Sequence, residues 1–353
     1  GQATLALEQL LEALHRFEAL GEQGERMAVV ALGEQADCLT ALGRLDDAAK
    51  TYEEKIKRAE KLDDFRGVAV GKGQLATVRM YQKKYAAALA EYQGALAIFE
   101  KQDEPKSIAT IWHQIGMVHQ EAGDYESAEA AYRRSLEIKS QNDDRTGQAN
   151  SLTALGVLYN DNLNRKEEAI TFYRQAADIY VQTSDLRREG MARNNTANTL
   201  HQLKRYDEAR AEIIRAIECD KQFGHASEPW KTFAVLREIE IADGNPAAAR
   251  AAWVQARDAY LAYRRQGGYA SAGGNANLME HVVGLITQQK ADEIEPLFNE
   301  LANSPKIDAS GKKMMQIIIT ILNGSRDKVL GDDPALYYGD AAEVLFLIER
   351  LGG

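Results

Sequence analysis

The sequence predicts an all-α chain of stacked helix pairs. One observation is a ladder of alanines, Ala48, Ala88, Ala128, Ala169, Ala209 and Ala249, at steps of 40, 40, 41, 40 and 40 residues. A repeat of that length is one supersecondary unit that buries its apolar face against its neighbours. A second observation is local: within each unit, apolar and small residues recur at three- and four-residue spacing, the period of a helix with one buried face. The third is composition. Ala, Leu, Glu, Lys, Arg and Gln dominate the 353 residues, and only 6 are proline.

Residues 111–138, IWHQIGMVHQEAGDYESAEAAYRRSLEI, hold the clearest unit. Trp112, Ile115, Gly116 and His119 share one helical face, and Ala128, Tyr132, Ser135 and Leu136 share another. Gly116 and Ala128 lack bulk, which lets two helix backbones approach closely. Asp124, after Gly123, is placed to cap the second helix with its carboxylate. The pattern W-x2-I-G-x2-H followed by G-x-Y-x2-A-x3-Y-x2-S-L resembles the tetratricopeptide repeat, with His119 where Tyr or Leu is usual. The resemblance implies a right-handed α-solenoid of helix-turn-helix repeats whose first helices line a concave surface. The 40-residue spacing, with Asp-Arg or Asp-Leu-Arg before each new unit, resembles the subclass of Pins-type adaptors, kinesin light chains and bacterial signalling proteins.

Taken in order, residues 5–20 read as the second helix of a repeat, with Ala13, Leu14 and Phe17 matching Ala95, Leu96 and Phe99. The chain opens Gly1-Gln2-Ala3 without a signal peptide, and the half repeat that follows leaves open whether an effector domain lies upstream. Repeat two covers about residues 27–61. Repeat three starts near Gly67, and Lys72 and Arg79 stand there at usually apolar positions. Repeat four is the unit above. Repeat five has Gly156, Tyr159, Ala169 and Tyr173, and its turn at residues 160–165 carries the one extra residue. Repeat six has Ala197, Tyr206 and Ala209. Repeat seven has Ala249 and Trp253, with Asn245 as cap before Pro246 and with Pro229 opening its first helix. The solenoid is thus expected over residues 1–266.

Residues 267–277, GGYASAGGNAN, break the helical period and read as a flexible linker rather than a ligand loop. Residues 278–353 are expected to hold a degenerate repeat and a helical C-terminal cap, with helices near 278–289, 291–303, 310–323 and 335–351. The run MMQIIITIL, residues 314–322, is apolar nearly all round and predicts burial on most sides. The ending from Ile321 to Leu351 resembles a tail found on bacterial tetratricopeptide proteins. Gly352-Gly353 reads as a helix stop.

Net charge is −10, which disfavours a nucleic-acid backbone as partner. No run of 18 apolar residues exists, so no membrane span is expected. The 2 cysteines, Cys38 and Cys219, fall on separate predicted helices and read as small core residues in a reducing compartment, the cytoplasm. His113 and His119 lie six apart, not at the i, i+4 spacing of a helical metal pair, and His201 has no ligand partner nearby. No phosphate loop, nucleophile elbow or Cys-x-x-Cys occurs. The reading is therefore no enzyme, no metal and no cofactor.

Binding is the expected role. Counting from Gly116, Gly156 and Ala197, the resemblance places Thr110, His113, Met117 and Gln120 inward in repeat four. It places Asn150, Thr153, Val157 and Asn160 inward in repeat five, and Met191, Asn194, Asn198 and His201 in repeat six. These side chains are mostly neutral, and the amides both donate and accept, which suits the backbone of an extended peptide. Asn194 and Asn198, one turn apart, are expected to grip one peptide unit. None is Lys or Arg, so a carboxylate clamp for chaperone C-termini is not expected. The sequence reads as the sensor or scaffold solenoid of a larger signalling protein. The alternatives are a free-standing receptor of the quorum-sensing regulator type and a substrate-recruiting arm of an enzyme.

Overall fold

The structure is a computed structural model that describes residues 2–268, 276–287, 291–305 and 307–352. Most of the expected linker, residues 269–275, lies outside the described residues. Among those described there is no strand. The chain forms two compact units, residues 1–179 and residues 180–353.

The first unit opens with α1 (Gln2–Ala19) and continues through four helix pairs. These are α2 (Glu25–Ala41) with α3 (Leu45–Lys61), α4 (Phe65–Tyr81) with α5 (Tyr85–Lys101), α6 (Pro105–Glu121) with α7 (Tyr125–Gln141), and α8 (Arg145–Val157) with α9 (Lys166–Gln182). Helices of 17 residues alternate with three-residue turns, which returns the chain to register every 40 residues.

Each turn needs one left-handed residue. Gly43 and Gly123 supply it inside repeats, whereas Asp63, Asp103 and Asp143 adopt it between repeats at φ of 50–51°. After three of these five turns the next helix is capped by a carboxylate: Asp64 accepts from Gly67 N at 2.8 Å, Asp124 from Ser127 N at 3.2 Å and Asp144 from Gly147 N at 2.9 Å. The extra residue of repeat five does not lengthen the turn. It is absorbed in a π-helical turn, residues Leu158–Asn162, at the end of α8.

The small signature residues do what their lack of bulk suggests. A Cβ on Gly116 would stand 2.6 Å from the ring of Tyr132, and one on Gly156 would stand 2.5 Å from that of Tyr173. The two charged residues of repeat three are paired: Lys72 Nζ reaches Glu91 at 3.1 Å, and Arg79 meets Glu53 and Gln82.

The second unit holds α10 (Leu186–Gln202) with α11 (Tyr206–Asp220), then α12 (Pro229–Ala242) with α13 (Pro246–Arg265). Both prolines stand at the start of their helices, as expected. Asn245 precedes α13, but its side chain does not cap it. The amide donates instead to Glu240 Oε2 at 3.0 Å and Asp243 Oδ2 at 2.9 Å. The remaining helices are α14 (Ala276–Thr287), α15 (Ala291–Asn303), α16 (Ala309–Leu322) and α17 (Tyr338–Arg350). α17 packs on α13 and α14, and α15 packs on α16.

Met314, Met315, Ile317, Ile318 and Ile321 of α16 are buried, as the all-round apolar run predicts. They join Trp253, Tyr260 and α17 in one cluster. Trp253 Nε1 donates to Leu336 O at 3.0 Å, and the buried pair Arg264–Glu343 spans 2.8 Å. These contacts make the C-terminal helices a cap on repeat seven. Gly352 ends α17 at φ +86°.

Candidate functional site

The expected site residues fall on first helices, and the two units present them separately. In the first unit, α6 carries Thr110, His113 and Met117, while α8 carries Asn150 and Thr153. Thr110 and Asn150 are exposed; His113, Met117, Thr153 and Asn160 are half-buried. Thr110 and Thr153 each turn their hydroxyl back to the carbonyl four residues earlier. Met117 packs into the cores on either side of α6. Asn160 sits in the π turn, one residue off the helical count, and donates to Asp161 Oδ1 at 2.6 Å. Gln120 is engaged from two sides: it accepts from Tyr132 Oη at 2.8 Å and donates to Asn162 Oδ1 at 2.8 Å.

Thr110, His113 and Asn150 meet at one cavity of about 300 Å³, shared with Lys139, Asp144, Thr146 and Gly147. The ring of His113 leans on Tyr132, with centroids 5.2 Å apart. Its Nδ1 is enclosed without a hydrogen-bond partner. Burial, helped by the charge of Lys139, pushes the imidazole down to about 4.

Lys139 was not legible as a site residue. It comes from the second helix, α7, at a position where the other repeats have Ala59, Phe99, Tyr180, Asp220 and Tyr260. It is 8% exposed, and burial pulls its pKa below the ordinary lysine value while Asp144 opposes that. Nζ donates to Ser151 Oγ at 3.0 Å. Ser151 is itself buried beside Ser135, whose hydroxyl donates to Ala109 O at 2.7 Å. A charged side chain on a packing register was the available sequence signal.

In the second unit, α10 carries Met191, Asn194, Asn198 and His201. Met191 is 62% exposed. The two asparagines do not stand as independent grips. Asn198 Nδ2 donates to Asn194 Oδ1 at 2.7 Å and to Asn194 O at 3.1 Å. That pairing uses the Asn194 carbonyl oxygens and the Asn198 amide, and leaves the Asn194 amide and the Asn198 side-chain carbonyl outside it. The ring of His201 lies 6.0 Å from that of Tyr206.

Among the described residues no group of three or more His, Cys, Asp and Glu side chains is disposed to hold a metal ion. Nor is any helix long and apolar enough to cross a membrane. Cys38 is half-buried and Cys219 buried, both as free thiols; burial pushes Cys219 up to about 11.

Profiles of the tetratricopeptide repeat match residues 1–61, 68–141, 107–181 and 192–223. No protein of curated function matches the sequence. Among solved structures, the chain is similar to BtubC from P. vanneervenii, at TM-score 0.57 and 18% identity over 65% of this chain and 95% of that one. It is similar to a signal transduction ATPase with a tetratricopeptide repeat sensor from Pyrococcus horikoshii, at TM-score 0.59 and 17% identity. There it covers 75% of this chain but only 43% of the other. The apo form of RapI matches over 92% of this chain and 98% of its own length, at TM-score 0.56 and 15% identity. At such identities the likeness concerns the fold.

Proposed function

Because this chain belongs to the tetratricopeptide repeat family, whose profiles match more than half of it, we propose that it is an interaction module that binds an extended segment of a partner protein along its first helices. The observation that carries this reading is the cavity at which Thr110, His113 and Asn150, chosen by inward register, come together from consecutive first helices. Its lining offers hydrogen-bonding groups from side chains rather than a continuous apolar surface, as an extended backbone requires. The Asn194–Asn198 pair offers repeat six an equivalent contact of its own. The module serves as the sensor or scaffold part of a signalling protein, working in the cytoplasm, where two free thiols stay reduced.

The test is selection of binders from a random dodecapeptide phage library, followed by titration of one selected peptide. Asn150→Ala is expected to weaken binding about threefold to tenfold, the loss of one to two hydrogen bonds. A control on the exposed Glu137, Glu137→Ala, is expected to change nothing. Equal affinity for both variants and the parent would place the binding surface elsewhere.

A further inference from the structure

The cavity holds one feature that a neutral peptide backbone does not use. Lys139, a buried residue, lines its wall, and the only acceptor that meets Nζ among the described residues is the hydroxyl of Ser151 at 3.0 Å. No carboxylate among those residues stands within ion-pair distance of it. Asp144 lines the same cavity beyond ion-pair distance; its Oδ1 accepts from the Gly147 amide at the start of α8, and its charge offsets only part of the cost of burying the ammonium. An ammonium has three N–H donors, and removing it from water with one weak acceptor is costly. The fold could place a neutral side chain here, since Ala59, Phe99 and Tyr260 fill the same register in other repeats. A lysine kept at that cost points to an anion that arrives from outside.

The other groups agree on the ligand. His113 lines the cavity beside Lys139 without a carboxylate of its own, and Asn150 adds an amide at the rim. A cavity of about 300 Å³ accommodates one short side chain. The net charge of −10 opposes a partner that is acidic throughout. We propose that the cavity is a specificity pocket for a single Asp or Glu side chain of the bound segment, received by the Lys139 ammonium. The proposal rests on the reading of the first-helix face as the peptide site, and it adds the chemistry that selects the peptide.

The probes are two blocked peptides, acetyl-Ala-Ala-Glu-Ala-Ala-amide and its Gln twin, titrated at millimolar concentration into the isotope-labelled chain and followed by amide chemical shifts. The Glu peptide is expected to shift Gly147 and Ser151 and to bind at least tenfold tighter than the Gln peptide. Lys139→Met, which replaces the charge by a side chain of similar length, is expected to bring the two within twofold while melting no lower than the parent. Comparing the two probes on the parent keeps the test independent of the variant. If both peptides shift Asn150 and Thr153 with equal affinity, the peptide face stands and the carboxylate pocket falls. The pocket falls likewise if Lys139→Met keeps the preference for Glu. If neither peptide shifts any amide of α6, α7 or α8, both readings fall together.

Discussion

In residues 1–179 the buried side chains fall into three clusters, each drawn from neighbouring repeats. In residues 180–353 one cluster runs from Trp230 on α12 to Ile348 on α17. The polar groups differ in the same sense. The second unit pairs its buried charges, Arg264 with Glu343 and Glu189 with Arg193 and Arg215. The first unit leaves Lys139 and His113 without ionic partners at a cavity. A repeat needs only its neighbours to be stable, so single positions in an array are free to carry polar groups. A cap that closes an apolar end has no such freedom.

The largest expected effect tests the cap. Trp253 is 1% exposed, donates to Leu336 O, and lies under Arg250 and Arg257 at 4.5 and 5.3 Å. Trp253→Ala should cost about 3–5 kcal/mol in urea unfolding. It should also speed hydrogen exchange from α12 through α17, whereas Phe99→Ala in repeat three should do so only in the adjacent helices. Equal spread of the two effects would break the contrast between array and cap.

Next comes acid. The imidazole of His113 sits at about 4 in the folded chain, below its ordinary value of 6.5. Between those values the unfolded chain binds the proton and the folded chain does not, so stability present above 6.5 is lost as pH falls toward 4. The loss is on the order of 3 kcal/mol at the lower end. His113→Asn, the residue that repeat six uses in this register, should remove that part of the pH dependence. Urea midpoints at pH 7 and pH 4.5 would show it, and an identical drop in parent and variant would contradict it.

A smaller effect should follow from overfilling an array. Gly116→Val places a Cβ at 2.6 Å from the Tyr132 ring, which must shift, at about 1–3 kcal/mol. Thermal melting of this variant beside Gly116→Ala should rank the two in order of side-chain volume. If both melt with the parent, the close approach of α6 and α7 is not a constraint on the sequence.

The period was legible because it is written in packing: Ala48, Ala88 and Ala128 are 0% exposed and fix where helices touch. Helix ends were legible through Asp124 and Pro229, whose roles are local. What was hidden depended on geometry between elements. The extra residue of repeat five looked like turn because its letters, Asn160 to Asn164, are turn-forming, yet the helix takes it in as a π turn. Lys139 was hidden because a lysine on an amphipathic helix is ordinarily solvated, and only its register shows otherwise. Asn194 and Asn198 were visible as a pair, but their mutual hydrogen bond belongs to side-chain torsions that spacing does not specify.

That pair gives the smallest effect on the fold. Both residues are half-buried, neither fills a packing position, and their hydrogen bonds stay within α10. Replacing both by Ala removes two local bonds but gains helix propensity of a few tenths of a kcal/mol per residue. The melting temperature should therefore move by no more than about 2 °C, in either direction. Binding is where the change should appear. With the donor of Asn194 and the acceptor of Asn198 gone, a peptide group resting on them loses two hydrogen bonds, about 1–3 kcal/mol. A peptide selected on the parent should then bind about tenfold more weakly. Asn194→Asp should be informative as a partner variant, since it keeps the acceptor for Asn198 but removes the outward donor. It is expected to weaken binding nearly as much as the double change. If it binds like the parent while the double variant does not, the pair acts by holding α10 rather than by touching the peptide.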